Sequence, residues 1–314
     1  MCGAAGSYSL APAPRRLYDL RVFANTRRAL TLLLVAQTAC SSSTDDTRTI
    51  TSSVPTVTHA VVRLQRTRST NVAVLDQANV LFSVLRMPAT LDSRNIVRMV
   101  GLATTAPEMG QCERLDYAQT ATHATVSVQH VELLDVGDVS LVATNVGSQL
   151  VRQAFPTVTD FIAGVVYTKR DLSSAPLPPA TSYTLTSRGA PSIPAFRISM
   201  NTPQEPADVR VDGSVIDQVA RLARGQGVQF TWKPGKAGDR VEIEVKNSDR
   251  PGDFSCAYDD ALGSGYLPAD AFVASGTVRL EFHRLRTTTT SAKGLDRVQI
   301  EFDYALDHLL EIIN

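Results

Sequence analysis

Tryptophan occurs once in 314 residues, cysteine four times, and aromatic side chains make up 6% of the chain. Rings this sparse offer few stacking platforms for bases or sugars. An excess of either charge is also missing: 31 basic and 31 acidic side chains give a formal net charge of +0. No like-charge block reaches five residues. There is no whole-protein field to draw in nucleic acid, and no nucleic-acid partner is expected. Long apolar runs are absent too. The run Ala29–Ala36 is well short of the roughly 20 residues a helix needs to cross a bilayer.

Motifs that carry chemistry are equally scarce. The five histidines are His59, His123, His130, His283 and His308. None pairs at the i, i+4 spacing of a helical zinc site, and no cysteine pair has zinc-ribbon spacing. His283 is expected on the wet face of its strand beside Arg279 and Glu281, in a surface role. The Gly-x-Ser-x-Gly elbow is absent; LGSGY offers only Gly263-Ser264-Gly265, which reads as a turn. GKAGDR lacks the glycine and hydroxyl spacing of a phosphate-binding loop. No catalytic residue, metal or cofactor is therefore assigned. One weak calcium candidate remains: Asp249, Asp253, Asp259 and Asp260 in SDRPGDFSCAYDD supply oxygen ligands near a turn. Their spacing does not fit an EF-hand, and solvated or backbone-capping carboxylates are the preferred reading.

What is present begins with RRALTLLLVAQTAC, Arg27 to Cys40, followed by SSSTDD. Two arginines, a short apolar run and a small residue before cysteine resemble the signal and lipobox of bacterial lipoproteins, although Gln37 stands where that family usually has Leu. The resemblance implies acylation at Cys40, with palmitate among the acyl groups, and a mature chain that begins there. Ordinary secretory cleavage and a structural Cys40 are the competing readings. The segment Met1–Thr26 upstream of the arginines suggests a true start near Val22. Residues 1–39 are then a signal peptide, and 40–57 a Ser/Thr-rich tether. The expected location is the cell envelope, on the outer membrane through the lipid, with a secreted or periplasmic protein as the alternative.

Cys2 falls in the leader and Cys40 at the anchor. Cys112 and Cys256 remain as the one intramolecular pair, either bridged or separately buried as small hydrophobes.

From His59 onward the pattern is of strands. HAVVRLQ alternates, while NVLFSVLRM and NIVRMVGLA are more continuously apolar. HVELLDVGDVSLVAT reads as a hairpin around Asp135–Asp138, and DFIAGVVYTKR and SYTLTSRG read as further strands. VQFTWKPG, DRVEIEVKN, GTVRLEFHRLR and RVQIEFDYAL alternate cleanly, with Trp232 inward, and TTTTSAKG is expected to be an exposed loop. Ile216, Val219 and Leu222 have weak helical spacing, and Pro268 to Phe272 suggests a turn. Period-two alternation means one buried and one wet face, the mark of antiparallel sheets. The predicted fold class is all-β, with two β-sandwich-like domains at 58–188 and 189–314 separated by prolines near 188–194. The outward rows Arg279, Glu281, His283 and Gln299, Glu301, Asp303 are expected to pair across strands rather than to form a binding face.

AFRISMNTP, FTWKPG, CAYDD, GYLPADAF and RLEFHRLR, spread over residues 181–305, resemble the C-terminal region of uncharacterised bacterial lipoproteins of the myxobacterial type. That resemblance implies an immunoglobulin-like sandwich and no activity. The expected function is a non-catalytic binding or structural module that meets an envelope protein or polysaccharide. A hydrolase acting on envelope or external polymers is the alternative. Fold alone does not decide between them.

Overall fold

The computed structural model describes residues 55–70, 76–93, 96–97, 107–115, 131–143, 146–155, 162–171, 177–247 and 253–314. Cys40, Asp249, His123 and His130 lie outside these residues. Two long antiparallel strands organise the rest: β18 (Gly276–Ala292) and β19 (Leu295–Ile313), joined by a tight turn at Lys293-Gly294. TTTTSA belongs to β18 rather than to a loop, because each of its threonines pairs across to β19. The segment is rich in β-branched residues, which favour the pleated surface.

β18 and β19 sit within an 11-stranded sheet. On one side come β15 (Arg240–Asn247), β16 (Asp253–Asp259) and the edge strand β3 (Cys112–Leu115). On the other, β1 (Thr56–Ser69) runs parallel to β19, followed by β2 (Asp76–Pro88), β4 (Val131–Leu133), β8 (Ile162–Asp171) and β7 (Val151–Phe155). Two four-stranded sheets pack on one face of it. The first contains β5 (Val139–Ala143), β6 (Val146–Gln149), β9 (Ser182–Ser187) and β10 (Phe196–Asn201). The second contains β11 (Arg210–Val211), β12 (Ser214–Val215), β14 (Val228–Thr231) and β17 (Ser264–Leu267).

The fold is all-β and sandwich-like, with two cores laid end to end along β19. Val298, Ile300 and Phe302 pack with Val62, Phe82, Leu185 and Ile198 in one core. Leu306, Leu310 and Ile312 pack with Val241, Phe282, Phe230 and Trp232 in the other. Trp232 meets the Phe282 ring edge-on at 5.4 Å between centroids, as its inward position predicts. Residues 52–314 form one compact unit. The proline-rich stretch at 188–194 does not break the large sheet, since β1 from before it pairs with β19 from after it and β2 follows on β1.

Between the cores the buried face turns polar. Arg284 and Asp260 are fully buried partners, 3.0 Å apart. Arg284 also donates to the Lys233 carbonyl at 2.6 Å and the Glu205 carbonyl at 3.0 Å. Asp260 accepts from the Gly235 N–H at 2.8 Å. Arg286 forks onto both oxygens of Asp239 at 2.6 and 2.7 Å.

Three local expectations differ. Val131–Leu133 and Val139–Ala143 are strands but not partners: β4 joins the large sheet and β5 the first small one. The Asp135–Asp138 stretch is therefore a corner between sheets. Asp135 accepts from the Tyr167 hydroxyl at 2.7 Å and from the Gly137 N–H at 3.0 Å. At Gly137 φ is +75°, and a Cβ would lie 2.3 Å from the Gly189 carbonyl oxygen, so only glycine fits. Within NIVRMVGLA, Ile96 and Val97 are helical, and the residues beyond them are not described. The helical spacing at Ile216 resolves into a 3-10 turn, Ile216–Gln218, and a short strand, β13 (Arg221–Ala223).

Candidate functional site: a buried charged cluster

Among the described residues, the opposite face of the large sheet gathers a cluster of buried ionisable side chains. Alternation sends Glu242, Glu244 and Lys246 of β15 away from the core that takes Val241, Ile243 and Val245. It does the same for Glu281 and His283 of β18 and for Glu301 and Asp303 of β19. That face is not wet. Glu242 is 2% exposed, Asp303 0% and His283 6%, so the surface role expected for His283 is overturned. Period two establishes that a second face exists; it does not say whether anything covers it.

Register decides the contacts. Glu244 stands directly opposite Glu281, and Glu242 opposite His283. Two carboxylates face to face repel. Lys246 relieves the repulsion by placing its ammonium 2.8 Å from Glu244 and 2.6 Å from Glu281. His283 Nδ1 lies 2.8 Å from Asp303 and its Nε2 3.1 Å from Glu281. An ionised carboxylate only accepts, so with an acceptor on each side the ring is an imidazolium donating from both nitrogens. Burial works against that charge, but the Asp303 carboxylate and its hydrogen bond hold the ring's pKa well above the ordinary histidine value. Burial likewise pushes the Glu281 carboxyl up, yet the hydrogen bond and charge of His283, with Lys246, bring it down to about 2. Arg63 adds contacts to Glu301 at 3.2 Å and Asp303 at 3.7 Å. Of the two rows expected to pair across β18 and β19, only His283 and Asp303 meet; the register sets His283 opposite Ala305, and Arg279 contacts Asp307 while Glu301 contacts Arg63 of β1.

Glu244, Glu281 and His283 bring one ligand atom each within 4.8 Å of one another, the gathering a divalent metal would need. Asp303 behind His283 is the usual outer-shell partner of a ligating histidine. The cation positions are nonetheless filled by the protein. Lys246 occupies the space between the carboxylates, and His283 presents a proton rather than a lone pair. Metal would have to displace both.

The other candidates fall elsewhere. Asp260 is committed to Arg284 in the waist between the cores. Asp259 caps a 3-10 turn by accepting from Ala261 N–H at 3.0 Å. The calcium grouping is not assembled from these two, because one is already paired with a guanidinium and the other with a backbone donor. Cys112 and Cys256 are joined as a disulfide, directly opposite each other on β3 and β16. Among the other histidines, His308 bridges the Thr70 hydroxyl and the Val219 carbonyl, each at 2.6 Å. His59 is 1% exposed with no hydrogen-bond partner on either ring nitrogen among the described residues. Burial, then the charge of Arg297, lowers its pKa to about 4.

The cluster predicts a pH dependence. Burial and then the neighbouring Glu244 charge push the Glu242 carboxyl up to about 7. The folded state therefore holds a proton that the unfolded chain has released above about 4.5. That stabilising contribution is complete below about 4.5 and is lost as pH rises through about 7, a change of roughly 3 kcal/mol. Glu242→Gln keeps an acceptor for the Ser255 hydroxyl, 2.8 Å away in the parent. Urea unfolding should show the variant more stable than the parent above pH about 7 and equal to it below about 4.5. A constant difference at all pH values would contradict a raised Glu242.

No family model matches the chain, and no curated protein does. Among solved structures it is similar to the Fcho1 Mu homology domain of Danio rerio with bound Eps15 peptide. The identity there is 8%, the match covers 82% of this chain and 97% of that one, and the TM-score is 0.26. It is also similar to the chicken CNTN1 FN1–FN3 domains, at 8% identity, with 74% and 77% of the two chains covered and a TM-score of 0.21. Likenesses at these TM-scores carry no argument about function.

Proposed function

We propose that the chain is a non-catalytic binding or structural module, exported and held at the cell envelope by lipid on Cys40. The observation that carries the non-catalytic part is the self-neutralised cluster: His283 is committed at both nitrogens, and Lys246 bridges two carboxylates. A general base needs a free lone pair within reach of substrate; the His283 ring and the Lys246 ammonium have none to give, and the carboxylates beside them are buried against these cations. Export is supported by the arginine, apolar and cysteine order of residues 27–40 and by the Cys112–Cys256 bridge, since disulfides persist in oxidising compartments. Two acyl chains anchor a protein stably where one does not.

Metabolic labelling with palmitate tests the anchor. Label should enter the parent and be lost in Cys40→Ala; label that survives the substitution, or none in the parent, contradicts it. Affinity capture from envelope fractions tests the module. A stable protein partner or retention on polysaccharide supports it, and turnover of an envelope polymer would favour the hydrolase.

A further inference from the structure

β15 pairs with β18 only as far as Leu285, while β19 pairs with it to Ala292. Over residues 286–292, one edge of β18 therefore has no strand hydrogen-bonded to it among the described residues. Alternate residues there direct backbone N–H and C=O groups outward, a template for another strand. Thr287 to Ser291 are exposed. An open pocket of about 440 Å³ lies alongside, with Arg286, Thr288, Thr290, Lys236, Met200 and Ile300 among its lining residues. Met200 and Ile300 are buried apolar side chains, so the pocket lining combines apolar groups with threonine hydroxyls.

Charge identifies the occupant. Arg286 is neutralised by Asp239. Lys236, at one end of this edge, and Lys293, at the hairpin turn at the other, are exposed and enter no ion pair among the described residues. We propose that the edge of β18 at residues 286–292 receives an extended segment of a partner polypeptide with acidic side chains near its two ends. The segment adds a strand to the sheet. Main-chain hydrogen bonds supply affinity, and alternate side chains enter the pocket. Seven residues of strand span about 23 Å, so the acidic groups belong roughly seven residues apart. A second copy of the chain fits less well, since antiparallel pairing of two such edges brings Lys236 of one toward Lys293 of the other.

This rests on the binding-module reading, and the test separates the two. The probe is a synthetic peptide of alternating valine and threonine with a glutamate at each end, added to the isotope-labelled full chain at low salt. Amide shifts confined to 286–292 and to the loop bearing Lys236 are expected. The double variant Lys236→Glu, Lys293→Glu should weaken binding by at least about tenfold and should bind the same peptide with lysine ends. Neither lysine is packed in a core, so the variant should fold as the parent does. Three results would overturn the proposal: no shifts in 286–292 on saturation, shifts indifferent to charge reversal, or shifts that follow protein concentration without peptide. A partner captured from the envelope that leaves 286–292 unperturbed would also overturn it, while upholding the module reading.

Discussion

Replacing Arg284 with methionine should destabilise the fold by about 3–5 kcal/mol, the usual cost of stranding one member of a buried ion pair. The reason lies in Asp260, which is 0% exposed and has its partner guanidinium 3.0 Å away. The methionine replaces the stem but not the charge, and Asp260 must then protonate or draw in water. Arg284 also donates to the Lys233 and Glu205 carbonyls, so three acceptors lose a donor together. Urea unfolding should show the midpoint fall. Adding Asp260→Asn should cost less in the Arg284→Met background than in the parent, because the carboxylate no longer has a charge to preserve. Equal costs in the two backgrounds would mean that the pair is not coupled.

Cys112→Ser should cost roughly 2–5 kcal/mol. The bridge closes a separation of 144 residues, for which loop-closure entropy in the unfolded chain alone predicts about 5 kcal/mol. It also fastens β3, a four-residue strand at the sheet margin with mostly exposed side chains, to the buried Cys256 on β16. The serine sits at that exposed edge and needs no buried partner. Reductant should lower the unfolding midpoint of the parent by a similar amount and leave the variant unmoved. A parent indifferent to reductant would show that the bridge does not hold the edge.

The strands and cores were legible in the sequence because alternation is a local signal. FTWKP, DRVEIEV and RVQIEF place Trp232, Ile243 and Phe302 inward, and each is buried. The site was only half legible. Glu244, Lys246, Glu281 and His283 all stand out as polar positions, and a charged residue on the second face of a strand reads as solvated by default. Two further facts decide otherwise: which residues stand opposite, and whether the face is covered. Neither is local. Glu244 opposite Glu281 is a repulsion until Lys246 is placed two residues along. Opposite-sign residues recurring at period two in adjacent strands were the available signal. The parallel pairing of β1 with β19 was invisible for a similar reason, since it joins residues about 238 positions apart. The polarity of TTTTSA points to a loop, although its β-branched side chains suit a strand.

The most direct test of the cluster's role is the nitrogen-15 chemical shift of the His283 ring, followed with pH and with added zinc. Both ring nitrogens should report a doubly protonated imidazolium that persists well above neutral pH and is unchanged by zinc, with Asp303 and Glu281 each holding a proton donor. A ring that titrates near the ordinary value of about 6.5, or an Nε2 signal that shifts on metal binding, would mean that His283 has a lone pair to offer. The cluster would then be a site for chemistry rather than a closed element of the fold.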